Sequence, residues 1–459
     1  MKAMGRWRMA LLALLLWGGG TAWAQEAVVD ETAGGAASAV VEAVAAAPAI
    51  DTGDTAWVLI SSALVLLMTI PGLALFYGGL VRKKNVLSIL MQCFMVACLI
   101  SVQWVLWGYS LSFGPDVKGL IGNLDWAGLK GVGLAPNPDY AGTIPHQAFM
   151  IFQMMFAIIT PALIVGAFAE RMKFLPFVAF ALLWATFVYD PLCHMVWGVG
   201  GLLRKMGALD FAGGTVVHIN AGVAALVAAL VLGKRLGYPA KMSPPHNLPF
   251  SVMGASLLWV GWFGFNAGSA LSANGLAAGA FVATHVATAA AGLAWAGMDL
   301  IFNKRPTVLG LISGAVAGLV AITPGAGFVT PLGALGIGVG AGVICYLSVA
   351  FMKAKLGYDD ALDAFGVHGV GGFWGALATG LWATKSVNPA GADGWFYGNP
   401  AQFFVQLKAA LITVVFSLVA SYVLLKLVGL FASLRANERE ERIGLDLTDH
   451  REAAYTLLD

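Results

Sequence analysis

The chain has 459 residues, 59% of them hydrophobic and 11% charged, whereas an ordinary soluble protein carries about 25% charged residues. That balance does not suit a soluble protein. The net charge of +2, without a basic cluster interleaved with aromatics, argues against nucleic-acid binding. Cys93, Cys98, Cys193 and Cys345 all fall in apolar segments, so they read as packing residues, and no zinc-type Cys/His spacing points to a metal.

In chain order, Lys2, Arg6 and Arg8 precede an apolar stretch at 9–17, and Ala22-Trp23-Ala24 supplies an A-x-A site. Residues 1–24 therefore read as a cleaved signal peptide, with an uncleaved anchor helix as the alternative. Residues 25–54 form an Ala/Gly-rich external leader with acids and little to bury. Beyond it, apolar windows bounded by charge, Pro or Gly predict eleven transmembrane helices, near 55–81, 88–113, 146–168, 174–201, 211–233, 250–271, 276–300, 307–323, 332–352, 361–384 and 400–432. Several are near the roughly 20 residues that cross about 30 Å of hydrocarbon. A charged tail, 433–459, follows. The fold class is thus an all-α polytopic membrane protein.

Basic residues set the expected orientation. The loops after odd-numbered spans and the tail hold sixteen, among them Arg82, Lys83, Lys84, Arg171, Lys234 and Arg235; the other loops hold five, Lys118, Lys130, Arg204, Lys205 and Lys385. The N-terminus is predicted outside and the tail cytoplasmic, which requires an odd number of spans. A short internal echo accompanies this: Asp210 precedes His218 by eight residues and Asp360 precedes His368 by the same interval, at the starts of the fifth and tenth spans. Two five-helix units of opposite orientation plus a long C-terminal helix would produce it, with a ligand path between the units. The pairs Gly314/Gly318, Gly338/Gly342 and Gly371/Gly375 have the spacing that lets membrane helices approach closely.

Ionisable residues inside spans are costly and commonly functional, so the histidines come first. His218 lies between Gly214 and Gly222, one helical turn to either side, and His368 lies in Phe365-Gly366-Val367-His368-Gly369-Val370-Gly371-Gly372. Two satisfied core histidines are the plainer explanation. The matching surroundings favour instead a pair of neutral imidazoles that donate and accept hydrogen bonds in a greasy pore. Aromatics form a second constellation. Phe149, Phe152 and Phe156 share a face of the third span, and Trp262, Phe265 and Ser269 repeat that spacing on the sixth. Such stripes serve packing more often than binding, and Trp197, near the outer end of the fourth span, is also compatible with an interfacial belt. Read functionally, Trp197, the phenylalanines and the Ser269 hydroxyl make an external cup for a small cation, held by cation–π attraction of up to about 2 kcal/mol. Asp210 is either the N-cap of the fifth span or a carboxylate that attracts a cation through space. Asp360 and Asp363 would cap on the inner side.

Three ordered runs carry a resemblance. They are Asp210-Phe211-Ala212-Gly213-Gly214-Thr215-Val216-Val217-His218-Ile219-Asn220 continuing to Gly233-Lys234-Arg235, then Gly261-Trp262-Phe263-Gly264-Phe265-Asn266-Ala267-Gly268-Ser269, then Asp363-Ala364-Phe365-Gly366-Val367-His368-Gly369-Val370. With them the chain resembles the ammonium transporter, methylamine permease and Rhesus protein family, specifically its bacterial ammonium transporters. The resemblance runs from about residue 55 to Gly444-Leu445-Asp446. It implies an external ammonium site of Trp197, Phe156 and Ser269 supported by Asp210, a gate of Phe156 and Phe265, and a pore with Phe152, Trp262 and the paired His218 and His368. It further implies a homotrimer of eleven-helix subunits in the bacterial inner membrane, closed from the cytoplasm by a PII-type regulatory protein, with methylammonium a second candidate substrate. No cofactor or metal is implied. A sensor would carry an appended signalling domain, and 433–459 resembles none; a neutral-gas channel would not need the cation cup. No nucleophile with a positioned base suggests an enzyme.

Overall fold

The computed structural model describes residues 49–240 and 243–455; the expected signal peptide, and the leader up to residue 48, lie outside the described residues. The chain forms α1 (Thr52–Leu80), α2 (Lys83–Phe113), α3 (His146–Phe168), α4 (Phe174–Lys205), α5 (Gly214–Leu232), α6 (Leu248–Gly268), α7 (Gly275–Asn303), α8 (Val308–Ile322), α9 (Pro331–Leu356), α10 (365–382) and α11 (Pro400–Phe431). Among the described residues, nine of these helices, all but α8 and α10, are long and apolar enough to cross a membrane. Each falls on an expected window. The second starts earlier, at Lys83, and the fourth and ninth run on to Lys205 and Leu356. Between α2 and α3 the chain makes two small antiparallel pairs, β1 (Asp116–Val117) with β2 (Ile121–Gly122) and β3 (Pro136–Asn137) with β4 (Ala141–Pro145). Within α1 the backbone leaves helical geometry at Ile70 (φ −132°, ψ 109°), next to Pro71, which has no N–H to continue the ladder.

Glycine decides how α7, α8 and α9 pack. A Cβ on Gly318 of α8 would stand 2.6 Å from the Ala287 carbonyl oxygen of α7; one on Gly338 of α9 would stand 2.3 Å from the same atom, and one on Gly342 2.5 Å from Ala291 O. The alanine-lined α7 is therefore gripped between two glycine faces, which is how close packing replaces hydrophobic driving force inside a membrane. Gly338→Ala is expected to cost about 1–3 kcal/mol through overpacking, measurable as a lower thermal midpoint of the detergent-purified protein.

At one end of the bundle the loops after α1, α3 and α5 meet the segment before α10. Glu170, 4% exposed, accepts from the Arg82 backbone (2.8 Å) and Nε (3.0 Å) and from Arg235 Nη1 (3.3 Å). Arg235 also makes a two-pronged pair with Asp359 at 2.9 and 2.8 Å. Burial opposes the charge on Glu170, but Arg82 and Arg235 outweigh it and hold the carboxyl below its ordinary range. The tail docks at this same end. Arg435 donates to Leu232 O (2.8 Å) and Lys234 O (2.6 Å), and a short helix, α12 (Glu438–Ile443), begins in a capping box of Asn437 and Glu440. Beyond it, Asp446 accepts the Ser88 N–H at 2.8 Å and Asp449 the Phe174 N–H at 3.0 Å. These carboxylates sit on first-turn amides, of the regular helix that begins at Val86 within α2 and of α4, so the tail supplies caps from elsewhere in the chain. It is part of the fold, packed through buried Leu445 and Glu441.

Candidate functional site

The two histidines are positioned by the starts of their helices. The Asp210 carboxylate, 8% exposed, accepts the N–H groups of Gly213 (2.7 Å), Gly214 (2.6 Å), Thr215 (2.8 Å) and Val216 (3.3 Å), and the Thr215 hydroxyl as well. Five donors occupy this carboxylate, so Asp210 caps the helix start with its side chain, although the N-cap position itself is Gly213. Downstream, His218 sits in the π-helical segment Gly214–Ile219. Asp360 repeats the device: it accepts from Ala364 N (3.1 Å) and Phe365 N (2.7 Å), and His368 sits in the π-helical segment Phe365–Gly369. Single π-helical turns often mark functional positions because they displace one residue from the regular helical register. Asp363, by contrast, pairs its side chain with Lys353 rather than capping.

From these helices and α3, α4 and α6 comes a file of rings. The Trp197 indole is fixed by its N–H, which donates to the backbone oxygen of Asp210 at 2.9 Å. Its ring stands perpendicular to Phe156 at 5.8 Å. Phe156 lies 4.3 Å from Phe265 at 35°, the tightest ring contact in the file, and Phe265 lies 6.0 Å from the His218 ring at 26°. Trp262 stacks against His218 at 5.3 Å and is itself held by an N–H bond to Thr323 Oγ1 at 2.9 Å. Phe152 meets Phe156 edge-on at 5.0 Å. Ser269 lies one turn beyond Phe265, its hydroxyl donating to Phe265 O at 2.8 Å, which leaves the lone pairs of the oxygen free to accept. Phe149 leaves the stripe: it stacks with Tyr140 at 5.1 Å and packs edge-on against Phe113, so it anchors the α2–α3 connection.

His218 and His368 face each other with ring centroids 5.4 Å apart and Nδ1 to Nδ1 at 3.4 Å. One Nδ1 must donate and the other accept, which fixes complementary tautomers. The donating ring then presents a bare Nε2, and the accepting ring presents Nε2–H. His218 Nε2 is buried with no partner among the described residues. A small polar solute at the two Nε2 atoms would therefore find one acceptor and one donor, in walls that offer little else. Below His368 the file opens into a cavity of about 340 Å³ lined by Val367, Asp363, Asp299, Tyr346 and Ser243, and reaching Arg235.

Three buried or cavity-lining polar residues escaped the sequence reading. Asp299 accepts from Asn303 (2.9 Å) and the Thr307 hydroxyl (2.9 Å) in the cavity wall. Asp190 accepts from Gln103 (2.7 Å) and Ser112 (3.3 Å), joining α4 to α2. Both are carboxylates inside apolar windows, and the rule that singled out the histidines applies to them equally. Thr323 carried no comparable signal.

Long apolar helices around a ring-lined file that leads through two histidines to a cavity with charged and hydroxyl groups in its wall define a multi-pass membrane transport protein. A family model described as the Ammonium Transporter Family matches residues 56–455. The ammonium transporter of Bacillus subtilis (strain 168) is 56% identical over 403 residues, spanning 88% of this chain and 98% of the relative. That of Aquifex aeolicus (strain VF5) is 48% identical over 410 residues, spanning 89% and 94%. Among solved structures, Candida albicans Mep2 aligns with a TM-score of 0.80 at 37% identity, covering 85% of this chain and 88% of that one. One titled "Sensor Amt Protein" aligns with a TM-score of 0.80 at 30% identity, covering 87% and 98%. The chain belongs to the ammonium transporter family, whose members are transporters and not enzymes.

Proposed function

We propose that ammonium is gathered at Trp197, Phe156 and Ser269, gives up or separates its proton at the Phe156/Phe265 gate, and crosses as ammonia past the His218/His368 pair. The observation that carries this reading is the unbroken file from Trp197 through Phe156 and Phe265 to the paired imidazoles. Its physical logic is a mismatch of magnitudes. A desolvated cation–π contact returns on the order of 2 kcal/mol, whereas moving a bare ammonium into apolar surroundings costs tens of kcal/mol in the Born limit. The cup concentrates the cation; the walls behind it favour the neutral form. Phe152 and Trp262 hold the rings of the gate and of His218 in place.

The same reading places the chain in a bacterial inner membrane with eleven spans, the N-terminus external and the tail cytoplasmic. The clustering of basic loops and tail at one end of the bundle supports it. The fold is read as two inverted five-helix units plus α11, and the assembly as a homotrimer in lipid. A PII-type protein would meet the docked tail and the inner cavity, and methylammonium would be a second substrate. Trp197→Leu tests the cup. In proteoliposomes on a solid-supported membrane, the ammonium concentration giving half-maximal current should rise by about tenfold, the loss of roughly 1.4 kcal/mol of binding, with maximal current changed far less. An unaltered concentration dependence rules the cup out.

A further inference from the structure

The two histidine segments touch through glycine in a reciprocal way. A shift of 150 residues, the sequence separation of the histidines, maps Asp210 onto Asp360, His218 onto His368, Ile219 onto Gly369 and Gly222 onto Gly372. Each of these last two glycines lies one helical turn past its own histidine and presses on the backbone around the other. A Cβ built on Gly222 would stand 2.1 Å from Gly369 N, 2.3 Å from Gly369 Cα and 2.9 Å from the carbonyl carbon of His368. One built on Gly372 would stand 2.9 Å from His218 Cβ, 3.0 Å from Ile219 N and 3.1 Å from Gly214 O. The mapped residues therefore make the mapped contacts in both directions.

We infer that Gly222 and Gly372 are positioning residues for transport: together they set the separation of the two imidazoles that face the solute. The argument rests on the twin-histidine path proposed above. Neither histidine has side-chain freedom to compensate for a backbone shift, because His218 is clamped against Trp262 and both rings are almost wholly buried. At an Nδ1–Nδ1 distance of 3.4 Å, the shared hydrogen bond is already near the limit of such contacts, and a few tenths of an ångström more breaks it. Gly222→Ala demands the larger movement, against backbone atoms that cannot rotate away. Gly372→Ala needs only a small displacement of His218.

Gly375 provides the control. Its Cβ would stand 2.2 Å from Ala321 O, a clash as severe as that at Gly222 but directed at α8 instead of a histidine. Ammonium-evoked current would be compared for Gly222→Ala, Gly372→Ala and Gly375→Ala, each in the natural background and in one carrying His218→Ala and His368→Ala. The expected result is a loss of about fivefold or more for Gly222→Ala and Gly372→Ala in the natural background, and no further loss where the histidines are gone. For Gly375→Ala, equal fold-changes are expected in both backgrounds. Coupling of this kind separates an effect routed through the histidines from general packing damage. Equal fold-changes for all three variants in both backgrounds would overturn the positioning role alone. If the double-histidine protein transports like the natural one, the twin-histidine reading has failed and takes this inference with it. Gly372→Ala, which meets nothing closer than 2.9 Å, carries the same test if Gly222→Ala does not assemble.

Discussion

Replacing His218 and His368 together by alanine is expected to lower ammonium-evoked current by at least tenfold while leaving a folded protein. Both rings are enclosed by apolar and aromatic walls, and their Nδ1 atoms satisfy each other. Removing them together leaves no orphaned partner, so the stability loss is mainly that of emptied space. Transport is another matter. Without the pair, a molecule of ammonia leaving the gate meets no hydrogen-bond partner until the inner cavity, and an uncompensated polar group in apolar surroundings costs roughly 2–7 kcal/mol. Even the low end of that range corresponds to more than tenfold in rate. Either single replacement should lose most of the same effect, because the remaining ring keeps an Nδ1 with nothing to share. Currents on a solid-supported membrane, together with internal alkalinisation of proteoliposomes, read both the charged and the neutral route. If both signals match those of the natural protein, the pair is only packing.

How much of this was open to sequence reading follows from what each level encodes. Hydropathy placed every long helix, because a span must be apolar for its whole length, and the echo of Asp210/His218 in Asp360/His368 located two matching helix starts. What pattern could not supply was direction around a helix and contact across helices. Phe149, Phe152 and Phe156 are equivalent by spacing, yet Phe149 turns to Tyr140 while the other two pack on each other. Glycine pairs announced close approach without naming the partner; only the folded chain shows α7 as the helix gripped by Gly318 and Gly338. The sequence marks 433–459 only as a charged, cytoplasmic tail. It is docked through Asp446 and Asp449 onto first-turn amides of regular helix in α2 and α4, and no local feature of 433–459 reveals amides 270 or more residues away that need capping. For the same reason Thr323, which fixes Trp262, gave no sign of itself.

Asp210→Ala should be the most damaging single substitution in the site, for a reason that separates its two possible roles. Four backbone N–H groups and the Thr215 hydroxyl converge on this carboxylate inside the bundle. Alanine leaves them without a partner where water does not reach, at about 1–3 kcal/mol for each buried group that stays unsatisfied, well beyond the ordinary N-cap loss of about 0.5–2 kcal/mol. The damage spreads in two directions. The start of α5 carries His218, and the backbone oxygen of residue 210, which alanine keeps, holds the Trp197 indole, so a shift of this helix start displaces both ends of the file together. The expected outcome is a sharply reduced yield of assembled protein, with transport at background in whatever assembles. Asp210→Asn discriminates further. Its amide oxygen can still accept from part of the helix start, but its NH₂ opposes the remaining N–H groups, so capping predicts a lower thermal midpoint and transport that falls with it. If the carboxylate acted chiefly by drawing cations to the outer mouth, Asn would keep its thermal midpoint and lose only apparent affinity for ammonium. Thermal stability and concentration dependence measured on the same Asn preparation therefore decide between them, and the five converging donors favour the first.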